Sequence, residues 1–515
     1  MTSEEPIRWW QRRTALAAIL AAAILPLLWP AMPPLTDLPG HAARWHIVAA
    51  SPASPLAVYY RIDWALIGNL GTDLLAIPLV PLIGAVATAK LIMIAIVVLS
   101  VIGLLWLARE VHGRIPPTAL FALPFILGWP FQMGFANFVL AQALAFCALA
   151  LWIGLARQGR LGLRAALFAP IGVILWVAHS AGWGLFGLMA FGAELARLRG
   201  VGRPWSVAIG RAILACLPLA LPVLIMLGHH PHGARASETG DWFNLPIKLL
   251  WALSSLRDRW DWLDIPSLGV PLLVLYIAAR DRRLGYDARL GWPALFVIAG
   301  FLLLPRLLLG GSYVDMRMMP AIWMLGLLAI RPPAAARFAG ALALGGLAFF
   351  GVRAAATTLS FVERAAEQRA ELGAVAAIPR GAPVLALVYQ SCLVPWTDIR
   401  GEHLPAYAIL SRDAFVNEQW AIEGQQYLSV RYEKPGRFAA DPSQLVYAPD
   451  CKQQGQSLGR AITTFPRAAF THVWIIGHRL ADPPRWGLRP VWTNGRSALY
   501  EVVGTAGAGR VDRLP

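Results

Sequence analysis

The chain has 515 residues, of which 57% are hydrophobic and only 14% are charged. Soluble domains carry about 25% charged residues, so this composition, with a mean hydropathy of +0.55, argues against a soluble globular protein. The formal net charge is +16, but most of the excess arginine lies in short loops between long apolar blocks. Such loops are typical of the cytoplasmic side of membrane proteins. The composition therefore indicates a membrane protein and excludes a nucleic-acid-binding one.

The first apolar block, residues 14–32, follows Arg8, Arg12 and Arg13. The block is too long for the apolar core of a signal peptide, and no clean cleavage site follows it. We interpret it as a retained first helix that enters the membrane from the cytoplasm. Residues 33–83 then form a long segment of mixed polarity.

Further apolar blocks lie at 88–108, 117–131, 136–156, 165–196, 207–228, 266–280, 290–308, 316–330 and 337–355. The block at 165–196 is longer than the roughly 20 residues that cross a bilayer, and it is interrupted at His179-Ser180-Ala181-Gly182. If this block is a helical hairpin, every Arg-rich loop falls on the cytoplasmic side, as the positive-inside rule requires. The hairpin predicts about eleven crossings and places residues 356–515 outside the cytoplasm.

The C-terminal region, 356–515, differs in character from the rest of the chain. Residues 360–375 have the spacing of an amphipathic helix, and short apolar runs at 383–389, 471–476 and 497–503 are typical of buried strands. The sequence therefore predicts a polytopic α-helical membrane protein (1–355) with a C-terminal periplasmic α/β domain. We expect it in a bacterial inner membrane, with a cytoplasmic N-terminus.

The four cysteines divide into two pairs. Cys147 and Cys216 lie inside apolar blocks and are interpreted as small core residues. Cys392 and Cys451 lie in the polar C-terminal region, where an oxidising compartment would allow a disulfide between them. That disulfide is a hypothesis, because sequence alone does not bring the two sulfurs together.

The stretch Pro33-Pro34-Leu35-Thr36-Asp37-Leu38-Pro39-Gly40-His41 follows the first helix directly. It places a carboxylate and an imidazole at the extracytoplasmic membrane surface. Asp37 could act as a general base toward a hydroxyl or bind a divalent cation, and His41 could hydrogen-bond Asp37 or meet a phosphate. We predict Asp37 and His41 as the catalytic residues. The structural alternative is that Asp37 only caps the helix that begins near Gly40.

Further polar side chains fall on the same face under this topology. They are Lys90, Gln132, Asn137, His179, Ser180, Arg306, Asp315 and Arg317. Lys90 and Arg306 could extend to lipid headgroups, or they could hold a lipid-linked phosphate, a task that suits arginine in particular. Asp315 and Arg317 could equally form a local ion pair. From this set we predict that Lys90, Asn137, His179, Arg306, Asp315 and Arg317 bind the substrate or its phosphate.

One histidine tract, His229-His230-Pro231-His232, could suggest a metal site. Its ligands are too close in sequence to define tetrahedral coordination, so we interpret them as ordinary loop histidines and predict no metal ligands. The sequence contains no P-loop, His-Glu-x-x-His or Cys-x-x-Cys motif.

The chain resembles the GT-C superfamily of membrane glycosyltransferases, which take sugars from polyprenyl-phosphate carriers. The resemblance rests on the acid of Thr36-Asp37-Leu38-Pro39-Gly40-His41, on the broken helical hairpin and on a terminal extracytoplasmic α/β domain. Two short stretches, Gly134-Phe135-Ala136-Asn137-Phe138 and Asp315-Met316-Arg317, are also similar to those of bacterial proteins of this type.

The resemblance implies a hexosyl- or pentosyltransferase with Asp37 as the catalytic base or a metal ligand. Its partners would be a polyprenyl-phosphate-linked sugar, membrane lipids and a glycan, lipid or protein acceptor. Many members carry two adjacent acids here, whereas this chain has Leu38 after Asp37, so a divalent cation (Mg²⁺ or Mn²⁺) is left open. Without a metal, Lys90, Arg306 or Arg317 would stabilise the phosphate. A lipid-linked substrate transporter or flippase and a non-catalytic scaffold are the alternatives.

Overall fold

The structure is a computed structural model, and it describes residues 8–228, 238–392, 396–422, 424–451 and 455–504. The predicted histidine tract at 229–232 lies outside these residues. The helices in chain order are α1 (Arg13–Leu28), α2 (Leu38–Ala49), α3 (Leu56–Tyr59), α4 (Gly71–Ile83), α5 (Ala85–His112), α6 (Ala119–Ala122), α7 (Trp129–Gln132), α8 (Ala136–Arg157), α9 (Leu161–Ala178), α10 (Ser180–Gly200), α11 (Trp205–Cys216), α12 (Leu221–Gly228), α13 (Leu245–Leu253), α14 (Asp261–Ser267), α15 (Gly269–Arg280), α16 (Ala288–Leu303), α17 (Met319–Ala329), α18 (Ala336–Leu372), α19 (Ala406–Arg412) and α20 (Leu458–Thr464).

The chain divides into two compact units. The helical unit comprises Met1–Trp29, Leu66–Thr72 and Ile92–Ser360, and the mixed unit comprises Pro30–Ala65, Asp73–Leu91 and Phe361–Pro515. The mixed unit therefore combines the segment after the first helix with the C-terminal region, two parts of the chain that the sequence analysis treated as separate.

The helical unit contains the predicted hairpin. Helices α9 and α10 are separated only by His179, whose backbone is extended. Arg164 near the start of α9 forms an ion pair with Glu194 near the end of α10, at 2.8 Å. This contact shows that the two helices run antiparallel. The hairpin prediction is therefore confirmed.

Six helical segments are long and apolar enough to cross a membrane by length and composition within the described residues. They are Ala85–His112, Ala136–Arg157, Leu161–Ala178, Trp205–Leu227, Asp261–Arg280 and Ala336–Ala377. Shorter apolar helical segments accompany them, at Arg13–Leu28, Gly71–Ile83, Ala119–Gln132, Leu245–Leu256, Ala288–Leu303 and Met316–Ala329. The chain is a multi-pass membrane protein.

Proline explains why some apolar blocks form interrupted helices. The block at 207–228 becomes α11, a 3₁₀ turn that contains Pro218, and then α12. Proline removes a backbone donor and clashes with the preceding turn. By contrast, α18 contains no proline, and it continues from Ala336 to Leu372 without a break. The predicted last span (337–355) and the predicted amphipathic helix (360–375) are thus largely one helix.

The mixed unit is built on a six-stranded sheet with strand order β3-β2-β6-β8-β7, and β5 also pairs with β2. The strands are β1 (Tyr60–Ile62), β2 (Pro383–Gln390), β3 (Phe415–Val416), β4 (Leu428–Val430), β5 (Leu445–Tyr447), β6 (His472–Ile476), β7 (Leu488–Thr493) and β8 (Ala498–Val502). β2 is parallel to β3, β5 and β6, whereas β8 is antiparallel to both β6 and β7. β1 and β4 form a separate antiparallel pair.

The three predicted strands are confirmed as β2, β6 and β8. β2 and β6 lie side by side at the centre of the sheet, with Val384 opposite His472 and Val388 opposite Ile476. All five residues of β6 are buried, which explains its continuous apolar run, since strands covered on both faces do not alternate.

The predicted disulfide between Cys392 and Cys451 is present. It joins the segment that follows β2 to the one that follows β5, across a sequence separation of 59 residues. Cys147 and Cys216, by contrast, are free thiols within the helical unit.

Candidate active site

The acidic turn leads directly into α2, and Asp37 occupies the position before its first residue, Leu38. The proline at 39 favours a helix start here because its fixed φ suits the first turn. The Asp37 side chain makes no capping hydrogen bond, so helix capping does not explain this carboxylate. Its side chain is 17% exposed, and solvent therefore reaches it.

The imidazole of His403, from the C-terminal part of the mixed unit, faces three carboxylates. Its Nδ1 lies 2.7 Å from the Glu418 carboxylate, and its Nε2 lies 3.9 Å from Asp37 and 3.9 Å from Asp441. His403 and Glu418 are buried, at 3% and 0% exposed, whereas Asp441 is 21% exposed. The ring is thus anchored on its inner edge and presents its outer edge to the two accessible acids.

The charge state of His403 follows from these contacts. Burial disfavours the imidazolium, but the hydrogen bond to Glu418 and the negative charges of Glu418, Asp37 and Asp441 outweigh it and raise the pKa of His403 to about 10. At neutral pH His403 is therefore a fixed positive charge beside Asp37.

His41 has a different partner from the one considered above. Its Nδ1 lies 2.9 Å from a guanidinium nitrogen of Arg44, so it must accept that hydrogen bond, since arginine only donates. Burial and the neighbouring Arg44 charge lower the pKa of His41 to about 3. His41 is consequently neutral, and its ring lies against Trp420, which also contacts the ring of His403.

Arg44 is the centre of a buried polar network. It bonds the Asp73 carboxylate at 2.9 Å and donates to Gln426 at 2.6 Å. Asp73 also accepts from Trp45 and Tyr427. Arg44 and Asp73 are both fully buried. Through Gln426 and Tyr427, the network joins α2 and α4 to the C-terminal part of the unit.

Gly40 allows α2 to approach the strand-end segment that carries Glu418. A Cβ at this position would lie 2.8 Å from the Trp420 ring, closer than side chains tolerate. The Gly40 carbonyl also accepts a hydrogen bond from Gln419. The glycine of the acidic stretch is therefore required by close packing rather than by the turn.

Lys90 supports the turn before Asp37. Its ammonium donates to the carbonyl of Pro30 at 2.9 Å, while buried Arg400 donates to the carbonyl of Pro34. Both cations bind backbone carbonyls that precede Asp37 in the chain. This contact of Lys90 was not among the sequence predictions, which considered lipid headgroups and phosphate as its partners.

The remaining predicted site residues lie in the helical unit. His179 and Arg317 meet there, with 2.5 Å between Nε2 and a guanidinium nitrogen. The Arg317 guanidinium also lies over the ring of Phe135, 4.5 Å from its centroid. The Nδ1 of His179 accepts a hydrogen bond from the backbone N–H of Ala181 and so caps α10.

The other three predicted residues are bound to nearby groups of the helical unit. Asp315 pairs with buried Lys248 at 3.0 Å, in place of the local ion pair with Arg317. Arg306 pairs with Asp241 rather than extending alone to the surface. The Asn137 side chain accepts from the backbone and hydroxyl of Thr72 and donates to Asn69.

Sequence reasoning missed His403, Glu418 and Asp441. The sequence shows only that the polar run Asn417-Glu418-Gln419 follows a short apolar stretch. The structure shows that all three residues are fully buried and therefore need partners, so the sequence alone did not mark this run as part of a site.

The raised pKa of His403 predicts how stability depends on pH. Because the folded state holds the proton up to about pH 10 and the unfolded chain only to about 6.5, the imidazolium stabilises the fold fully below pH 6.5, and this contribution is lost toward pH 10. We expect the melting temperature of wild type to exceed that of His403→Gln at pH 6, and the difference to shrink as the pH approaches 10.

The matched control is His478→Gln. Burial lowers the pKa of His478, so this ring contributes no stability that is lost at alkaline pH. A difference between wild type and His403→Gln that is constant from pH 6 to pH 10 would contradict the assigned charge.

Comparison with known proteins gives structural matches only. No protein-family model matches the sequence, and no curated protein matches it. ArnT from Cupriavidus metallidurans bound to undecaprenyl phosphate matches with a TM-score of 0.49 and 14% identity, over 96% of this chain and 98% of that chain. The apo ArnT structure matches with a TM-score of 0.47 and 14% identity, with the same coverage.

A third match is the arabinofuranosyltransferase AftD from Mycobacteria. Its TM-score is 0.45 at 15% identity, and the alignment covers 97% of this chain but 40% of AftD. Since the identities are low and every TM-score is below 0.5, the function proposed below rests on the residues of this chain.

Proposed function

We propose that the protein is a membrane glycosyltransferase that moves a sugar from a polyprenyl-phosphate carrier to an envelope glycan, lipid or protein acceptor. The observation that carries this proposal is the solvent-accessible Asp37 carboxylate 3.9 Å from the buried His403 imidazolium. A base beside a fixed positive charge suits a reaction in which a hydroxyl loses its proton while a phosphate departs.

In the proposed reaction, Asp37 accepts the proton of the acceptor hydroxyl as its oxygen attacks the anomeric carbon. The bond between that carbon and the phosphate oxygen breaks, and the polyprenyl phosphate leaves with the electron pair. His403 then provides the positive charge that stabilises the negative charge of the departing phosphate, the role considered above for Lys90, Arg306 or Arg317. Glu418 orients the ring, and Asp441 is a second acid that could bind sugar hydroxyls.

We propose that this reaction needs no divalent cation. The protonated His403 imidazolium faces both Asp37 and Asp441, so a positive charge is present beside these acids without a metal ion. Elsewhere in the described residues, one group of three suitable side chains lies close together, namely Cys392, Asp450 and Cys451. Its two cysteines form the disulfide, which leaves no thiolate to bind a metal.

We further propose that the C-terminal domain is periplasmic and that the protein lies in the inner membrane. Two observations support this orientation: the Cys392–Cys451 disulfide, since disulfides persist in oxidising compartments, and the Arg-rich loops on the opposite side of the predicted topology. The active site would then face the periplasm, where lipid-linked sugars meet envelope acceptors.

The proposal is tested with full-length protein in liposomes that contain a polyprenyl-phosphate sugar labelled in the sugar, an envelope lipid extract as acceptor, and EDTA. We expect labelled sugar to move to the acceptor fraction, with release of polyprenyl phosphate. Movement of intact donor across the bilayer would instead identify a flippase, and an unchanged donor on both sides would favour the scaffold. Transfer that appears only after Mg²⁺ or Mn²⁺ replaces EDTA would contradict the metal-free reaction.

A further inference from the structure

A cavity of about 380 Å³ lies in the helical unit among α9, α10 and α11, far along the helices from the hairpin tip. Helix α9 has 18 residues, so at about 1.5 Å per residue it is roughly 27 Å long. The cavity is lined near the start of α9 by Leu161 and Arg164, whereas His179 follows its last residue. The cavity therefore lies at the opposite end of the hairpin, at the ends of the helices that we predict to be cytoplasmic.

The lining of this cavity is strongly basic. Four arginines contribute to it, Arg164, Arg197, Arg203 and Arg211, against one acid, Glu194. Such an excess of positive charge around one cavity favours an anion as its occupant.

The inner wall of the cavity is rigid. Buried Arg164 donates to Glu194 at 2.8 Å, and its guanidinium lies over the ring of Trp152, 4.0 Å from the centroid. Arg197 binds the same carboxylate. One carboxylate thus holds two guanidinium groups, so the pair of arginines keeps a positive charge that Glu194 does not neutralise.

The outer wall has cations that can bind a ligand. Arg203 and Arg211 are exposed, and within the part of the chain that the structure describes neither side chain forms a hydrogen bond or an ion pair with a protein group. Guanidinium groups bind phosphate oxygens through paired, charge-assisted hydrogen bonds. Arg203 and Arg211 could therefore both donate hydrogen bonds to one phosphate group.

Apolar side chains complete the rim. Val201 and Leu214 line the cavity and are 66% and 64% exposed. A ligand that satisfies both the arginines and these side chains must carry an anionic group and an apolar tail. Basic pockets between transmembrane helices on the cytoplasmic side bind anionic lipid headgroups in this way.

We propose that this cavity binds the phosphodiester headgroup of an anionic phospholipid in the cytoplasmic leaflet of the membrane. Arg203 and Arg211 would bind the phosphate oxygens, Arg164 and Arg197 would supply the positive field behind them, and Val201 and Leu214 would contact the acyl chains. The site is independent of the sugar-transfer reaction, so it stands or falls separately from the proposed function.

The test is native mass spectrometry of the full-length protein released from detergent, titrated with phosphatidylglycerol or with phosphatidylcholine of the same acyl chains. We expect phosphatidylglycerol to be retained and phosphatidylcholine to be lost. The double variant Arg203→Gln/Arg211→Gln should bind phosphatidylglycerol at least about tenfold more weakly, since a charge-assisted hydrogen bond is worth about that factor.

The matched control is Arg280→Gln/Arg282→Gln, which removes two exposed arginines from another Arg-rich loop outside the cavity. Its affinity should equal that of wild type. Equal weakening in both double variants, or none in either, would overturn the site, as would equal retention of phosphatidylcholine. Displacement of the lipid by an excess of inorganic phosphate would overturn the assignment to a lipid.

Discussion

The Asp37→Asn variant is expected to lose sugar transfer by about 10²–10⁴-fold, the contribution of a positioned general base. The amide keeps the shape of the carboxylate but cannot accept the proton of the acceptor hydroxyl. The measurement is the initial rate of label transfer from the polyprenyl-phosphate sugar to the acceptor, at saturating donor.

The same variant should fold as the wild type does. Asp37 makes no capping hydrogen bond to α2, and His403 keeps the two other carboxylates, Glu418 and Asp441, near it. We therefore expect little change in expression or melting temperature. The loss would then reflect chemistry rather than misfolding.

Asp63→Asn provides the matched control. Asp63 lies in the same N-terminal segment of the mixed unit and pairs with Arg61 at the surface, where both side chains are exposed. This variant makes the same chemical change and should retain wild-type transfer. If Asp37→Asn also transferred sugar at the wild-type rate, Asp37 would not be the base.

The second large effect is expected from Arg44→Met, which should lower the free energy of unfolding by about 3–5 kcal/mol. Removing one partner of a buried ion pair leaves the other charge without compensation. Here the charge left behind is Asp73, which is fully buried, and Gln426 and His41 lose hydrogen bonds as well. Thermal unfolding of the purified protein, followed by tryptophan fluorescence, would measure the loss.

A double variant separates the buried charge from simple loss of packing. Arg44→Met/Asp73→Asn removes both charges, so it should be less destabilised than Arg44→Met alone. The surface change Arg61→Met should cost only about 0–1 kcal/mol, because that pair is exposed. An Arg44→Met variant as stable as Arg61→Met would show that the network does not stabilise the unit.

The local pattern of apolar and polar residues was sufficient to predict several individual helices and strands. The interruption at His179 predicted the α9–α10 hairpin, and the apolar runs at 383–389, 471–476 and 497–503 predicted β2, β6 and β8. These features depend on residues close together in the sequence. The period and length of the apolar pattern indicate which type of element they form and which face of it is buried. The same reasoning separated the last span from the helix after it, because polarity changes there, although the backbone of α18 continues.

The sequence by itself determined the membrane character of the chain, the acidic turn after the first helix and the α/β nature of the C-terminal region. Only the tertiary structure decided which groups surround Asp37. His403, Glu418 and Asp441 are remote from it in the chain. They approach it because α2, the segment before α19, the end of β3 and the segment before β5 belong to one unit. Packing between remote segments depends on the complementarity of whole surfaces, as at Gly40 and Trp420, and no local spacing encodes such a match.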